Sequence, residues 1–349
     1  MTDIDTDVTP VRGSTGATGP APAARSVAGA DAAMTRVRDR TESLDPIKSD
    51  DTTPVEREFT VATRSQGALV LRRFLQHKLA VGSAVVFLAM VVVAIVGQQT
   101  YKYKYNQDPN TANDISVPPF TKGHLFGTDE KGIDLFAGIL RGITTSVEVG
   151  LIVAVLCTGF GTIYGAVAGF FGGAVDNVLM RVVDLVLTLP ALAVLLLLSV
   201  KFAGGGSAIA IALVLSALSW ASISRVIRGL FLSLREKEFI VAARALGASN
   251  SRIIFRHLLP NAVGPIIVNG TIFVALAILT EAGLSFLGFG IKFPDVSLGL
   301  LISNGIGAAD TRPWLFYFPG VTLVIIAICI NFIGDGLRDA LDPQQRVRQ

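Results

Sequence analysis

Five stretches of this chain are too apolar and too poor in charge to coat a water-soluble domain. Leu79–Gly97, Phe202–Ser224, Leu258–Thr280 and Trp314–Gly334 carry no formal charge, and Gly142–Val175 carries only Glu148. A helix needs about 20 apolar residues to cross hydrocarbon. With no water there to bond a bare peptide group, helices and closed barrels are the viable spanning forms. Runs of this length point to helices. Composition agrees: 51% of the residues are hydrophobic and 16% charged, against about 25% charged in soluble domains.

The expected fold is therefore an all-α membrane protein with six spans, at about 79–97, 146–170, 183–200, 208–224, 261–281 and 314–334. Arg72, Arg73 and Lys78 precede the first span, and Arg225, Arg228, Arg235 and Lys237 follow the fourth. Basic residues mark the cytoplasmic side, so both termini are expected in the cytoplasm, with 98–143 outside and 225–260 inside. The chain is expected in the cell membrane as a multi-pass protein. Residues 1–68 have Phe59 as their single aromatic and few apolar residues. They lack the surface to offset the entropy of ordering and are expected to form a disordered cytoplasmic extension, ahead of a transmembrane domain over 70–345. The opening MTDIDTDVTP has no apolar core and is not read as a cleaved signal.

Inside the spans, Gly161, Gly165, Gly169 and Gly173 recur every four residues, which sets them on one helical face and invites close helix approach, here expected within the subunit. Arg181 and Asp184 are spaced to pair along a helix. Cys157 and Cys329 lie in apolar runs, where they act as small hydrophobes, and no metal-binding cluster is offered.

The polar segment Glu238–Pro260, EFIVAARALGASNSRIIFRHLLP, sits between two apolar runs. Ala242, Ala243 and Ala245 give a small-residue surface, Gly247 interrupts it, and Ser249 or Asn250 is placed to cap a second helix before Pro260. Helix, tight turn, helix is the expected form, suited to docking or to an ordinary helical hairpin. Outside, HLFGTDEKGIDLF brings Asp129, Glu130 and Asp134 close together without the ligand ladder of a calcium loop. Turn chemistry and helix capping are the expected roles. Glu281, in TEAGLSFLGFG, is an acid at a span's end and a candidate functional or structural contact.

These motifs resemble the permease subunits of ABC importers. Ala242, Ala243, Gly247, Leu259 and Pro260 match the EAA loop, with Val241 in place of the usual glutamate and His257 in place of a hydrophobic residue. His124, Gly127, Thr128, Asp129, Gly132 and Asp134 are similar to the external signature of the C-type dipeptide, oligopeptide and nickel permeases, although Ile133, Gly138 and Thr144 replace arginines common there. Glu281, Leu284, Ser285, Phe286, Leu287 and Gly288 match a further motif of the same permeases.

The resemblance, over roughly residues 70–345, implies the type I importer fold and half of a peptide translocation pathway. It implies a coupling loop at Glu238, Ala242, Ala243, Gly247, Leu259 and Pro260, and external residues Gly127, Thr128, Asp129 and Asp134 facing a binding protein. Glu281, Ser285 and Glu148 are implied as translocation or structural residues. The implied partners are a second, B-type permease subunit, one or two ABC ATPase subunits, an extracytoplasmic substrate-binding protein and a peptide substrate. ATP and magnesium would be used by the ATPases, with no cofactor on this chain. No phosphate-binding loop occurs, since no glycine is followed directly by lysine, and no catalytic constellation or nucleic-acid patch is visible. An ion-coupled transporter or channel using Glu148 and Glu281 is the alternative from a different class. A membrane-embedded enzyme is more remote.

Overall fold

The computed structural model describes residues 66–105, 114–202 and 206–341. The 1–65 portion of the expected N-terminal extension lies outside the described residues. In order, the helices are α1 (Gln66–Gln76), α2 (Lys78–Thr100), α3 (Leu135–Phe171), α4 (Gly173–Thr188), α5 (Ala191–Phe202), α6 (Ala208–Arg235), α7 (Glu238–Ala245), α8 (Asn250–Phe286), α9 (Leu298–Ala308) and α10 (Trp314–Leu341). Helix α1 begins just inside the stretch expected to lack order.

Five of these helices are long and apolar enough to span a bilayer, and α4 with α5 makes a sixth if the bent pair is one span. That pair bends by 85° at Leu189–Pro190, where the proline lacks an N–H and drives its predecessor out of the helical region. Leu189 is extended, with φ −68° and ψ 141°.

Helix α3 starts at Leu135, within the stretch expected to be external loop. Asp134 caps it: its Oδ1 accepts the Ala137 N–H at 2.8 Å. At 1.5 Å per residue, its 37 residues reach about 55 Å, against about 30 Å of hydrocarbon. The helix must project beyond the apolar layer.

Helix α3 is also the element on which the others pack. Its Gly161, Gly165 and Gly169 face α6. A Cβ at Gly161 would strike the Ile223 side chain, one at Gly165 the Ser224 carbonyl, and one at Gly169 would lie 2.6 Å from the Arg228 carbonyl oxygen. The glycine face is thus buried within the subunit. Gly173, just past the end of α3, meets nothing within 4 Å. On other faces of α3, a Cβ at Gly150 would lie 2.7 Å from Ile278 of α8, and one at Gly142 3.1 Å from the Leu298 amide of α9.

The apolar core has three parts. One joins α2, α3, α8, α9 and α10 around Leu140, Ile143 and Ile278. A second joins α3, α5, α6 and α8 around Val153, Cys157 and Leu215. The third lies under α7, where Ile240 packs with Phe231, Ile253 and Leu258.

Candidate functional site

At one end of the bundle the chain leaves α6 and forms an exposed helical corner. Helix α7 starts at Glu238, whose negative charge suits the positive end of the helix dipole. Only Ile240 of α7 is fully buried. It anchors the helix to the third core cluster while Glu238, Phe239, Val241, Ala242 and Arg244 stay exposed and Ala243 is half-buried.

The turn after α7 is closed by backbone geometry. The Gly247 N–H donates to the Arg244 carbonyl at 3.0 Å and the Ala248 N–H to the Ala243 carbonyl at 3.1 Å. This paired pattern, with Gly247 at φ +78°, is the Schellman ending that favours glycine. No atom lies within 4 Å of a Cβ built on Gly247, so the requirement there is conformational rather than steric. Ser249 then caps α8, its Oγ accepting the Arg252 N–H at 3.4 Å.

The first part of α8, Ile253–Leu258, is a π-helix. The Leu259 N–H reaches back five residues to the Ile254 carbonyl, and Pro260 follows. The wide turn lies where a proline would otherwise crowd the carbonyl four residues before it. Ile253 and Leu258 point into the core, Leu259 is half-buried and Pro260 exposed. Leu246, at the apex of the corner, is 88% exposed, and Phe255 is also exposed.

Three arginines at this end of α6 are tied to neighbouring helices. Arg228 grips Asp176 of α4 through Nε and Nη2, both at 2.5 Å. Arg225 Nη2 lies 2.6 Å from Asp184, so Asp184 takes its cation from α6 and not from the expected Arg181. Arg235 Nη1 donates to the Gly169 carbonyl at 3.2 Å, closing the carbonyl end of α3. The corner therefore stands on helices tied to one another by side chains.

Glu281 is fully buried near the other end of α8. Ser285 Oγ donates to its Oε1 at 2.6 Å and Ser146 Oγ approaches its Oε2 at 3.4 Å. Those hydroxyls also accept backbone N–H groups of the 289–298 segment: Ile291 to Ser285 Oγ at 3.2 Å and Leu298 to Ser146 Oγ at 3.3 Å. Nearby, Arg141 holds Asp295 at 3.0 and 3.2 Å. Glu281 and Ser285 thus join α3, α8 and the approach to α9. Glu148 is elsewhere, on an exposed face of α3.

The module built on residues 114–134, expected on the outer side, shows what its sequence signature does. His124 Nδ1 lies 2.7 Å from Asp134 Oδ2, both side chains buried. The Tyr101 hydroxyl donates to the same oxygen at 3.3 Å. Burial and the Asp134 charge push the Tyr101 hydroxyl up to about 12, which keeps it a donor. Thr128 and Val117 exchange bonds, with Val117 N–H to Thr128 Oγ1 at 2.8 Å and Thr128 N–H to the Val117 carbonyl at 3.0 Å. Asp129 Oδ1 accepts the Lys131 and Ile133 amides, both at 2.8 Å. Burial raises its carboxyl above the usual range, partly offset by those bonds. Gly127 adopts φ +81°, and a Cβ there would meet the Val117 carbonyl.

Turn chemistry and capping are therefore what these residues perform. Gly127, Thr128 and Asp134 are buried and shape the module, while Asp129 is half-buried. The exposed face of this module is a part that sequence reasoning missed: Phe120 is 79% exposed and adopts φ +61°. The signal available for it was an aromatic after two prolines, Pro118 and Pro119. Ser116 and Lys122 also have positive φ, a conformation that is uncommon without glycine.

Comparison with known proteins bears on what this arrangement serves. Residues 161–347 match the family model described as binding-protein-dependent transport system inner membrane component. Residues 65–119 match the N-terminal TM domain of oligopeptide transport permease C. The oligopeptide transport system permease protein OppC of Mycobacterium tuberculosis (strain ATCC 25618 / H37Rv) is 44% identical over 282 residues, covering 81% of this chain and 96% of that protein. OppC of Escherichia coli (strain K12) is 39% identical over 275 residues, covering 79% and 90%. The dipeptide transport system permease protein DppC of Alkalihalophilus pseudofirmus is 33% identical over 309 residues, covering 88% and 99%. Permease components of this kind sit in the cell membrane and have no ATPase site of their own. With a family model across the second half and relatives matched over nearly their whole length, the chain belongs to the family of binding-protein-dependent ABC importer permeases, in its C-type oligopeptide and dipeptide branch.

Proposed function

We propose that this chain forms half of the translocation pathway of an ATP-driven peptide importer, paired with a B-type permease subunit. In this reading both termini and the 238–260 corner face the cytoplasm. The corner docks on one of one or two ABC ATPase subunits, which supply the ATP and magnesium chemistry. ATP binding closes the ATPases, the corner carries that movement into α6 and α8, and the spans alternate between inward and outward openings. An extracytoplasmic binding protein delivers the peptide to the outer module, where Phe120 presents the outward contact. The peptide is a dipeptide or oligopeptide, after the named substrates of the relatives.

The observation that carries the reading is the corner itself. Exposed Phe239, Val241, Leu246 and Phe255 would be costly to leave in water, yet they stand on an anchored base of Ile240, Ile253 and Leu258. Exposed apolar side chains on a rigid support favour a protein partner. An ion-coupled mechanism through Glu148 and Glu281 is not favoured, because Glu281 is enclosed by serine hydroxyls and Glu148 lies outside that network.

The test is to isolate the chain from its native membrane in mild detergent and reconstitute what accompanies it. A second six-span subunit and an ATPase, with peptide uptake that requires ATP, are expected. A chain that purifies alone and transports on an ion gradient would overturn the proposal.

A further inference from the structure

Helix α1 takes no part in the pathway just described, and its two faces differ. One face packs on α10. A Cβ at Gly336 would lie 3.3 Å from the Phe74 ring and would also meet Ala80, and His77 Nε2 lies 3.5 Å from Asp339. These contacts set α1 against the last turns of α10, at the end of the bundle where Leu341 also approaches Gly264 of α8.

The other face is apolar and uncovered by the described residues. Leu71 is 59% exposed and Leu75, one turn on, is 60% exposed. After the single break at His77, Leu79 is 63% exposed and opens the outward surface of α2, which continues through Val85, Val86 and Leu88. The exposed side of α1 is thus continuous with an exposed apolar surface of a candidate span, which suits acyl chains. Arg72 is exposed beside Leu71, and Lys78 is exposed at the start of α2. Neither they nor Arg73 has a carboxylate partner among the described residues, whereas Arg141, Arg225, Arg228 and Arg312 each have one. Leucines at helical spacing edged by cations that meet no carboxylate among the described residues form the pattern of a helix lying in a membrane interface, with long cationic side chains reaching for headgroups.

We propose that α1 is an interfacial anchor that binds anionic phospholipid, with Leu71 and Leu75 at the acyl boundary and Arg72 and Lys78 on the headgroups. The charge complementarity selects anionic over zwitterionic headgroups. The anchor would hold the end of α10 at a fixed depth through Phe74 and His77. The proposal is independent of the transported solute.

The test places an environment-sensitive fluorophore on Leu71→Cys or Leu75→Cys in the full chain, reconstituted in vesicles. The buried Cys157 and Cys329 are blanked against the unsubstituted chain. Bromine-tailed phosphatidylglycerol is expected to quench both positions more strongly than bromine-tailed phosphatidylcholine. Arg72→Gln is expected to lower that preference about fivefold, the equivalent of one basic residue near an anionic surface. Equal quenching by both lipids would overturn the choice of headgroup. Absence of quenching would overturn the anchor, as would quenching that emerges only after residues 1–62 are removed, since the chain's own N-terminal stretch would then be the occupant.

Discussion

Arg228 and Asp176, 52 positions apart in the chain, meet through two guanidinium nitrogens at 2.5 Å each. The pair fastens α6 to the first turn of α4 just before the chain turns into the exposed corner. Removing one partner of a hydrogen-bonded ion pair at a mostly buried position strands the other, and that is what makes the loss costly. Asp176→Asn should cost about 2 kcal/mol, and Arg228→Lys should lose much of the two-pronged geometry. Thermal unfolding in detergent checks both. In the double variant the losses should fall short of their sum, and full additivity would mean that the two side chains do not act as a pair.

The glycine face of α3 makes a paired prediction. Gly165→Ala pushes a methyl onto the Ser224 carbonyl and should cost about 2 kcal/mol through overpacking. Gly159→Ala, on the same helix with nothing within 4 Å, should be neutral or stabilise by about 0.5–1 kcal/mol. Equal behaviour of the two in a thermal-shift assay would remove the case for close packing of α3 on α6.

Gly247 separates conformation from space. Since its surroundings are open and its φ is +78°, Gly247→Val should strain the turn by about 1–2 kcal/mol, whereas Gly247→Asn should be tolerated. Gly247→Arg should insert normally but uncouple peptide uptake from ATP hydrolysis. Uptake and hydrolysis measured together in vesicles decide the matter, and unchanged uptake in the arginine variant would refute a coupling role.

Leu246 is the predicted anchor for the ATPase. Leu246→Ser should leave the thermal midpoint unchanged, because the side chain is almost wholly exposed. It should still weaken retention of the ATPase by more than about tenfold, as loss of an interface hot spot does. Pull-down of the ATPase with the tagged permease reads this directly.

Phe120 gives the corresponding test on the face proposed to meet the binding protein. Phe120→Asp should preserve folding yet lower uptake stimulated by the binding protein. Thr128→Val should instead destabilise the outer module, since Thr128 Oγ1 accepts the Val117 N–H and donates to the Asp114 carbonyl. If Phe120→Asp left stimulated uptake intact, the receptor would dock elsewhere.

What the sequence determined by itself was whatever hydrocarbon and local geometry dictate. The apolar runs had to become spanning helices because the bilayer satisfies no bare peptide group. The turn at Gly247, the Ser249 cap and the glycine face at Gly161, Gly165 and Gly169 could be read because each depends on residues within a few positions of one another. Tertiary structure decided the rest. Asp184 chose Arg225 on another helix over nearby Arg181, Ser146 came to Glu281 across 135 positions, and Asp134 extended α3 far past the apolar run by capping it while holding His124. The external signature was legible as a motif, but the burial of Gly127, Thr128 and Asp134 and the exposure of Phe120 were not. Side-chain partners are selected by the three-dimensional packing of distant helices, and spacing along the chain carries little of that information.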